Sequence, residues 1–431
     1  MSAKFDVLLY GATGFTGKLT AAYLDGHPAL AGRRWAIAGR SLARLEEVAG
    51  TLGSAPAVVA CELTDAEAVA RMVRGARVVI SCAGPYSLYD GERLLGACAA
   101  AGVHYSDLAG ESFWQREMAE KHHAAAAASG AKIVLGGGVD SIPSDLGAMM
   151  ALAALGGAMD GAGAGAVAPT VAGAVVPTVA VQAVYTRYSG YVSGGTLASG
   201  RAMRKAAKAG RYMGKHDPYI LAPGLLKEGE GADAGPAATR SGMPRGWRRG
   251  CSARHGALFD FFMAPINAAV VRRSLALRGA AARVSYSEVW SLGALLRIVW
   301  CLVFPFCFGY LNCQPLTWRP KPGQGPPQWL LRRGGFSVEV TARASTGEVA
   351  RAIVSGRGDP GYGATSKMLA ETALCLAFDD TSGAPSAAGV LTPASALGDA
   401  LVARLDSSDF MSLRATGPGA GDVSGKKVHS G

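Results

Sequence analysis

The feature that most constrains this chain is a glycine-rich turn that directly follows an apolar run near its start. Residues 5–10 read Phe-Asp-Val-Leu-Leu-Tyr, and residues 11–17 read Gly-Ala-Thr-Gly-Phe-Thr-Gly. Glycines at this spacing between a strand and a helix let the backbone approach a pyrophosphate, whose charge is met by N–H groups at the helix N-terminus. The pattern therefore predicts a dinucleotide-binding turn.

Alternating apolar runs and helical patterns fill the first 150 residues, which is typical of βαβ units in a parallel sheet. The predicted strands are Phe5–Tyr10, Trp35–Ala38, Ala57–Cys61, Val78–Ser81, His104–Leu108 and Lys132–Leu135. Helices are predicted between them, starting near residues 16, 41, 64, 89, 111 and 144. Right-handed crossovers then give an α/β fold with a Rossmann-type doubly wound sheet.

The pattern changes after residue 155, and a chain of 431 residues is long enough for two domains. Two alternating runs at 336–344 and 348–356 predict a hairpin, so an inserted second domain of α+β type is expected. The predicted divisions are a dinucleotide-binding domain at 1–155, the second domain at 156–357, helices returning to the first domain at 358–408, and a flexible Gly/Ser-rich tail at 409–431.

The residues after the predicted second strand indicate which nucleotide binds. NAD-specific sites place Asp or Glu there to hold the ribose 2′-hydroxyl, but this chain reads Ala-Gly-Arg-Ser at 38–41. Arg40 can pair with a 2′-phosphate and Ser41 can donate to it, so NADPH or NADP+ is the expected cofactor. The alternative interpretation of Arg40 is a solvated loop charge.

Small residues follow the predicted fourth strand, where the nicotinamide half can lie against the backbone. Tyr86 is expected to border the nicotinamide, with simple packing as the alternative. The expected cofactor-binding residues are Gly11, Thr13, Gly14, Phe15, Thr16, Gly17, Arg40, Ser41, Cys82, Ala83, Gly84 and Tyr86. No metal site is expected, because the eight cysteines form no CxxC pair and no Cys/His cluster at metal-ligand spacing.

Several motifs occur together in a fixed order. They are GATGFTG at 11–17, AGR at 38–40, SCAGPY at 81–86, DLAGE at 107–111, GGGVDSIPSDLG at 136–147, GDPGYGATSKMLAE at 358–371 and GVLTPA at 389–394. In these motifs the chain resembles the saccharopine dehydrogenase-like oxidoreductases, a family that includes trans-acting enoyl reductases of bacterial glycolipid pathways and lipid-droplet proteins of eukaryotes. The resemblance implies NADP-type binding, a Rossmann domain with an inserted second domain, and a lipid-linked setting.

Candidate catalytic residues follow the predicted fifth and sixth strands. Asp140 or Glu111 can relay a proton, and Ser141 can polarise a carbonyl. Tyr362 follows a Gly-Asp-Pro-Gly turn and can approach the same crevice from the second domain. The alternative is that Asp140 and the polar residues after it cap a helix. No tyrosine is followed by a lysine four residues later, which argues against a short-chain dehydrogenase mechanism.

The predicted second domain is basic and contains the most apolar stretch of the chain, Leu292–Leu311. Residues 201–333 carry 21 Lys and Arg against 6 Asp and Glu. Arg297 and Pro305 interrupt the stretch, which favours a kinked helix or hairpin in one leaflet of a membrane or lipid-droplet surface over a full span. A buried helix or a homodimer interface is the alternative. No nucleic-acid partner is expected, because no binding motif for nucleic acid accompanies the basic residues.

These observations predict an intracellular NADPH-dependent oxidoreductase that acts on a lipid-linked acyl, enoyl or keto substrate in lipid or glycolipid metabolism. No cleavable signal peptide precedes the predicted first strand. Two alternatives stay open: an amino-acid dehydrogenase of the saccharopine type, and a non-catalytic dinucleotide-binding protein of lipid droplets.

Overall fold

A computed structural model of the protein describes residues 4–159, 178–190, 194–210, 219–222, 250–296 and 324–419. Sheet A is the predicted Rossmann-type sheet. Its strands are β1 (Phe5–Tyr10), β2 (Trp35–Gly39), β3 (Ala57–Ala60), β4 (Ala76–Ser81), β5 (His104–Asp107), β6 (Lys132–Val134) and β13 (Gly389–Leu391). They pair in parallel in the order β13-β6-β5-β4-β1-β2-β3. The predicted fold class is confirmed.

Helices cross between these strands because each helical segment buries one apolar face on the sheet. They are α1 (Phe15–Asp25), α2 (Leu42–Ala49), α3 (Ala66–Arg74), α4 (Gly91–Ala101), α5 (Ser112–Ser129) and α6 (Ile142–Met159). In α3, for example, Val69, Met72 and Val73 are buried at the spacing of one helix face. The order of β1 and β4 reverses the direction of strand addition, which leaves a crevice between their carboxyl ends.

Sheet B forms the second, mixed layer. Its strands are β7 (Val179–Ser189), β8 (Gly250–Ser252), β9 (Gly256–Asp260), β10 (Val284–Ser291), β11 (Gly335–Ala344), β12 (Val349–Arg357) and β14 (Met411–Thr416). The order is β14-β12-β11-β7-β10-β9-β8, and only β7 and β10 pair in parallel among these strands. The predicted hairpin at 336–344 and 348–356 corresponds to β11 and β12.

The remaining α-helices of the described ranges are α7 (Gly194–Lys208), α8 (Ala264–Leu277), α9 (Gln328–Arg333), α10 (Gly363–Phe378) and α11 (Pro393–Asp406). Helix α10 packs on α1, β1, β4 and β5, so this part of the chain returns to sheet A. Helix α6 packs on β11 and β12 of sheet B and also on α8 and α11. One helix therefore joins the two layers.

One local expectation does not hold. A flexible tail was expected from residue 409, but residues 411–416 form β14 on the edge of sheet B because Met411 and Leu413 alternate with polar residues and are buried. Helix α3 begins at Ala66, close to its predicted start, and its N-cap residue is Asp65, whose carboxylate accepts from Ala68 N at 2.9 Å.

Most of the predicted apolar segment lies outside the described residues, which stop at residue 296 and resume at 324. The side chains of Leu292 and Leu296, at its start, are 42% and 58% exposed. Within the described ranges no helix combines the length and apolarity that a membrane crossing needs.

A buried carboxylate, Glu371, ties α10 to two other helices. Its Oε1 accepts from the Tyr23 hydroxyl at 2.5 Å and lies 2.9 Å from His27 Nε2, and its Oε2 lies 2.9 Å from Arg404 Nε. Burial alone would raise the pKa of Glu371, but the hydrogen bonds from His27 and Tyr23 and the charge of Arg404 hold it below its ordinary value. The ionised carboxylate thus stabilises the packing of α1, α10 and α11.

We expect Glu371→Gln to lower the free energy of unfolding at pH 7 by about 3 kcal/mol, because Arg404 loses a buried partner. Since the folded pKa is depressed, this stabilisation is present above the ordinary value of 4.5 and is lost as pH falls through the folded pKa. Urea unfolding at pH 7 and pH 4 measures both effects. The control is Glu67→Gln, which removes an exposed pair with Arg71 and costs under about 0.5 kcal/mol. Equal losses in the two variants would contradict the prediction.

Candidate active site

The β1–α1 turn approaches the β4–α4 loop so closely that a side chain would not fit. Gly11 has φ +83°, and a Cβ placed on it would lie 2.9 Å from both Cys82 C and Ala83 N. A Cβ on Gly17, in the first turn of α1, would collide with the Gly11 carbonyl oxygen. The backbone N–H groups at the start of α1 are therefore open to a pyrophosphate, and the turn fits a dinucleotide.

The end of β2 is held against this turn, because Gly11 N donates to the Ala38 carbonyl oxygen at 2.8 Å. Arg40 follows two residues later with its side chain exposed. Ser41 is the N-cap residue of α2, but its hydroxyl makes no capping hydrogen bond. The two side chains predicted to hold a 2′-phosphate, Arg40 and Ser41, therefore lie beside the turn. The Ser41 hydroxyl is not engaged in capping α2.

The remaining predicted cofactor residues surround the same crevice. Thr13, Gly14, Phe15 and Thr16 are all partly exposed, as are Cys82 and Ala83, and Gly84 is exposed. The Phe15 ring packs edge-on against Tyr362, with ring centroids 5.3 Å apart. This contact brings the start of α10 next to the dinucleotide turn.

Tyr86 is the predicted cofactor residue whose surroundings indicate a structural role. Its buried ring stacks on Trp114 at 5.3 Å between centroids. Its hydroxyl donates to the Ser81 carbonyl oxygen at 2.8 Å and accepts from Leu108 N at 3.0 Å. The phenol thus fixes the loops that follow β4 and β5, which favours the packing interpretation.

Two buried carboxylates hold the loops around the crevice. Asp107 Oδ1 accepts from Ala109 N at 3.0 Å and Gly136 N at 3.2 Å, and its Oδ2 accepts from the Tyr105 hydroxyl at 3.0 Å. Glu111 Oε1 accepts from the backbone N–H of the β4–α4 loop at 3.1 Å and lies 3.4 Å from the hydroxyl of a serine on α7. Burial raises the pKa of each carboxyl to about 7, and these bonds make both carboxyls loop anchors.

Asp140 differs from these two carboxylates. It lies between β6 and α6, is partly exposed, and accepts no hydrogen bond from another described residue. Glycines make room for it, since a Cβ on Gly110 would lie 3.2 Å from Oδ2 and one on Gly138 would lie 3.1 Å from Oδ1. Burial raises the pKa of Asp140 to about 6, so its carboxyl can carry or release a proton near neutral pH.

The other two predicted catalytic residues are more enclosed. Ser141 is buried, and its Oγ has no hydrogen-bond partner within the described chain. That oxygen lies beside Gly136, where a Cβ would be 2.6 Å away. Tyr362 is buried at the N-cap of α10, and its backbone N–H donates to Asp359 Oδ2 at 2.8 Å.

A residue that sequence reasoning missed joins these loops. Thr365 Oγ1 accepts from Val139 N at 3.0 Å and donates to the Pro360 carbonyl oxygen at 2.7 Å. The turn that carries Tyr362 is thereby held against the loop that carries Asp140. The motif at 358–371 contained this threonine, but no sequence spacing indicated its partner.

The alternative interpretation expected the polar residues after Asp140 to cap α6. Ser144 and Asp145 bind other elements instead. Ser144 Oγ lies 3.0 Å from the Tyr185 hydroxyl of β7 and accepts from Asn267 Nδ2 at 3.2 Å. Asp145 accepts from the hydroxyl of Ser274 on α8 at 2.5 Å and from the backbone N–H of Ala394 on α11 at 2.8 Å. They connect α6 to the neighbouring elements.

Comparison with known proteins identifies the family. Residues 7–134 match the saccharopine dehydrogenase NADP-binding domain. A Mycobacterium tuberculosis H37Rv protein that is provisionally named a trans-acting enoyl reductase is 38% identical over 437 residues, which cover 96% of this chain and 98% of the relative. The trans-acting enoyl reductase of Mycobacterium bovis BCG is 36% identical over 450 residues, with 98% and 97% covered. The chain belongs to the saccharopine dehydrogenase-like oxidoreductase family.

Among solved structures, saccharopine dehydrogenase of Saccharomyces cerevisiae aligns over 95% of this chain and 99% of that chain, with 13% identity and a TM-score of 0.42. The family assignment depends on the full-length sequence relatives. As a member of this family the protein is an NADP-dependent oxidoreductase that binds NADP(H), which confirms the predicted enzyme class and cofactor.

We expect Arg40→Ala to weaken NADPH binding roughly 10- to 100-fold, because a charged hydrogen bond to the 2′-phosphate is lost. NADH lacks that phosphate, so its affinity should stay the same. Fluorescence titration with both nucleotides measures the ratio. Arg44→Ala, four residues further on α2, is the matched control. The role of Arg40 is refuted if its variant binds NADPH as tightly as the parent does.

Proposed function

We propose that the protein uses NADPH to reduce an enoyl group on a lipid-linked acyl chain. The observation that carries the proposal is the similarity over nearly the whole chain to proteins named trans-acting enoyl reductases. The crevice adds a suitable group, since Asp140 offers a carboxyl that accepts no hydrogen bond from another described residue and titrates near neutral pH.

NADPH, when bound, supplies the hydride that adds to the β-carbon of the enoyl group. The turn at Gly11–Gly17 holds the pyrophosphate, and Arg40 selects the phosphorylated ribose. Asp140, in its protonated form, donates a proton to the α-carbon and regains one from water. Burial and the charge of Asp140 raise the pKa of Glu111 to about 7, while its bond from the backbone N–H of Tyr86 keeps it an anchor of the loop beside Asp140.

We expect the purified protein to oxidise NADPH when an enoyl thioester is added, and Asp140→Asn to lower kcat about 100-fold or more, because the proton donor is lost. Since the donor must be protonated, the parent's kcat should fall as pH rises above about 6, the pKa of Asp140. Stopped-flow absorbance at 340 nm across a pH series measures both effects.

The control for this experiment is Asp380→Asn. Asp380 is exposed and lies far from the crevice. The carbonyl oxygen of its neighbour Thr381 accepts from Lys132 Nζ at the amino end of β6, whereas the crevice is at the carboxyl ends of the strands. An Asp140→Asn variant as active as this control would remove Asp140 from the mechanism. A parent that oxidises no NADPH with any enoyl thioester would refute the proposed reaction itself.

We also propose that the protein is intracellular and works at a lipid surface, either a membrane or a lipid droplet. The exposed side chains of Leu292 and Leu296 support this, because they begin the apolar stretch and stand open to the surroundings. Apolar side chains beside basic residues suit an anionic lipid surface.

We expect Leu292→Ser/Leu296→Ser to lower the partition coefficient onto phosphatidylglycerol vesicles, measured by flotation, roughly 100-fold or more, because each leucine contributes about 1.5–3 kcal/mol when fully buried in an apolar phase. Leu42→Ser is the control, since Leu42 is 51% exposed on α2, which packs beside β2 and β3 of sheet A. Unchanged flotation of the double variant would contradict a lipid-facing role for these leucines.

A further inference from the structure

Tyr188 stands near the end of β7, where an irregular pairing turns its ring to one face of sheet B. Strand β11 pairs Ser337 with Arg187 and Val338 with Tyr185, so Thr186 is left without a register partner. This bulge puts Tyr185 and Tyr188 on the same face, and their ring centroids are 6.0 Å apart.

The end of β7 reaches the turn that carries Tyr362. A Cβ on Gly190, two residues after Tyr188, would lie 2.8 Å from Pro360 Cγ and 3.0 Å from Asp359 Oδ1. That turn is held against the Asp140 loop by Thr365. Tyr188 therefore borders the candidate active site from the sheet B side.

The Tyr188 hydroxyl has no hydrogen-bond partner among the described residues. Five other buried tyrosine hydroxyls do have one. The partners are the Cys61 carbonyl for Tyr10, the Ser81 carbonyl for Tyr86, Asp107 for Tyr105, Ser144 for Tyr185 and Glu288 for Tyr286. Tyr188 is only 8% exposed, but its hydroxyl oxygen is not one of the fully buried unpartnered atoms, so it stays accessible to a ligand group beside the site.

The charges around Tyr188 determine what its hydroxyl can do. Burial, and then the negative charges of Asp359 and Asp140, raise the pKa of Tyr188 above its ordinary value. The hydroxyl therefore stays protonated and acts as a hydrogen-bond donor. A carbonyl oxygen is the kind of group that can accept a hydrogen bond from a neutral donor in this setting.

An apolar path leads outward from the same ring. Tyr188 packs edge-on against Phe261 and Phe262, with centroids 5.4 and 5.7 Å away. Phe262 is 48% exposed and lies 5.8 Å from the ring of Trp290, at the end of β10. Aromatic surface that runs from a polar site to the exterior suits an acyl chain whose carbonyl lies at the inner end.

We propose that the Tyr188 hydroxyl donates a hydrogen bond to the carbonyl oxygen of the substrate's acyl group, and that the acyl chain lies along Phe262. This inference rests on the proposed function. Reduction at the β-carbon moves the C=C electron pair toward the carbonyl oxygen, which carries negative charge until the α-carbon is protonated. Tyr188 keeps its own proton and stabilises that oxygen, and Asp140 supplies the proton.

The test compares two probes with the full-length protein in complex with NADP+: the octanoyl thioester of N-acetylcysteamine and the matching octyl thioether, which lacks the carbonyl oxygen. Tyr188→Phe removes the hydroxyl and keeps the ring. We expect it to bind the thioester ~5-fold more weakly and the thioether as the parent does, by calorimetry. With the octenoyl thioester, its kcat should fall ~100-fold.

Tyr185→Phe is the matched control, because it removes a hydroxyl from the same strand and face that Ser144 already engages. It should keep the parent's ratio of thioester to thioether affinity. The proposal is overturned if Tyr188→Phe binds both probes as the parent does, if it weakens both equally, or if the parent binds neither probe. If the parent oxidises no NADPH yet binds the probes as expected, the proposed reaction fails and the carbonyl site stands.

Discussion

The polar side chains in the first turn of α6 are the constraint on which the rest of the structure depends. Within six residues the chain passes from Asp140, at the crevice, to Ser144, which bonds to sheet B, and Asp145, which bonds to α8 and α11. Ser144 and Asp145 are buried, so each would be costly without its partner. The helix, which follows β6, consequently fixes sheet B, α8 and α11 relative to the carboxyl end of that strand of sheet A.

Close approach of backbone segments determines where a ligand can lie. The turn at Gly11 touches the loop after β4, and the turn at Asp359 touches the end of β7 at Gly190. Both approaches depend on the absence of a Cβ, and both occur at edges of the same crevice. The glycine at 190 therefore brings the end of β7 in sheet B against the turn whose Tyr362 packs on Phe15 of the dinucleotide turn.

The first six strands of sheet A were predictable from the sequence, because apolar runs separated by helical patterns identify parallel strands and the glycine spacing identifies the turn after β1. The seventh, β13, was not predicted, since it has only three residues. The joint between the layers was not predictable. Ser144 and Asp145 read as helix caps, since caps are the usual role of such residues at a helix start, and their partners lie more than 40 residues away in the chain. The role of Tyr188 was not predictable either, because the face on which its ring lies depends on a β-bulge that the local sequence pattern does not indicate.

Hydrogen-bond satisfaction separates the groups that hold this site together from those available for chemistry. Burial raises the pKa of Asp107, Glu111 and Asp140 alike, so raised pKa values alone do not distinguish them. Asp107 and Glu111 accept backbone N–H groups and thereby anchor loops. Asp140 and the Tyr188 hydroxyl have no such partners among the described residues. An acid and a neutral donor that face one crevice are what protonation next to a carbonyl requires, and the sequence alone could not have distinguished them from the anchors beside them.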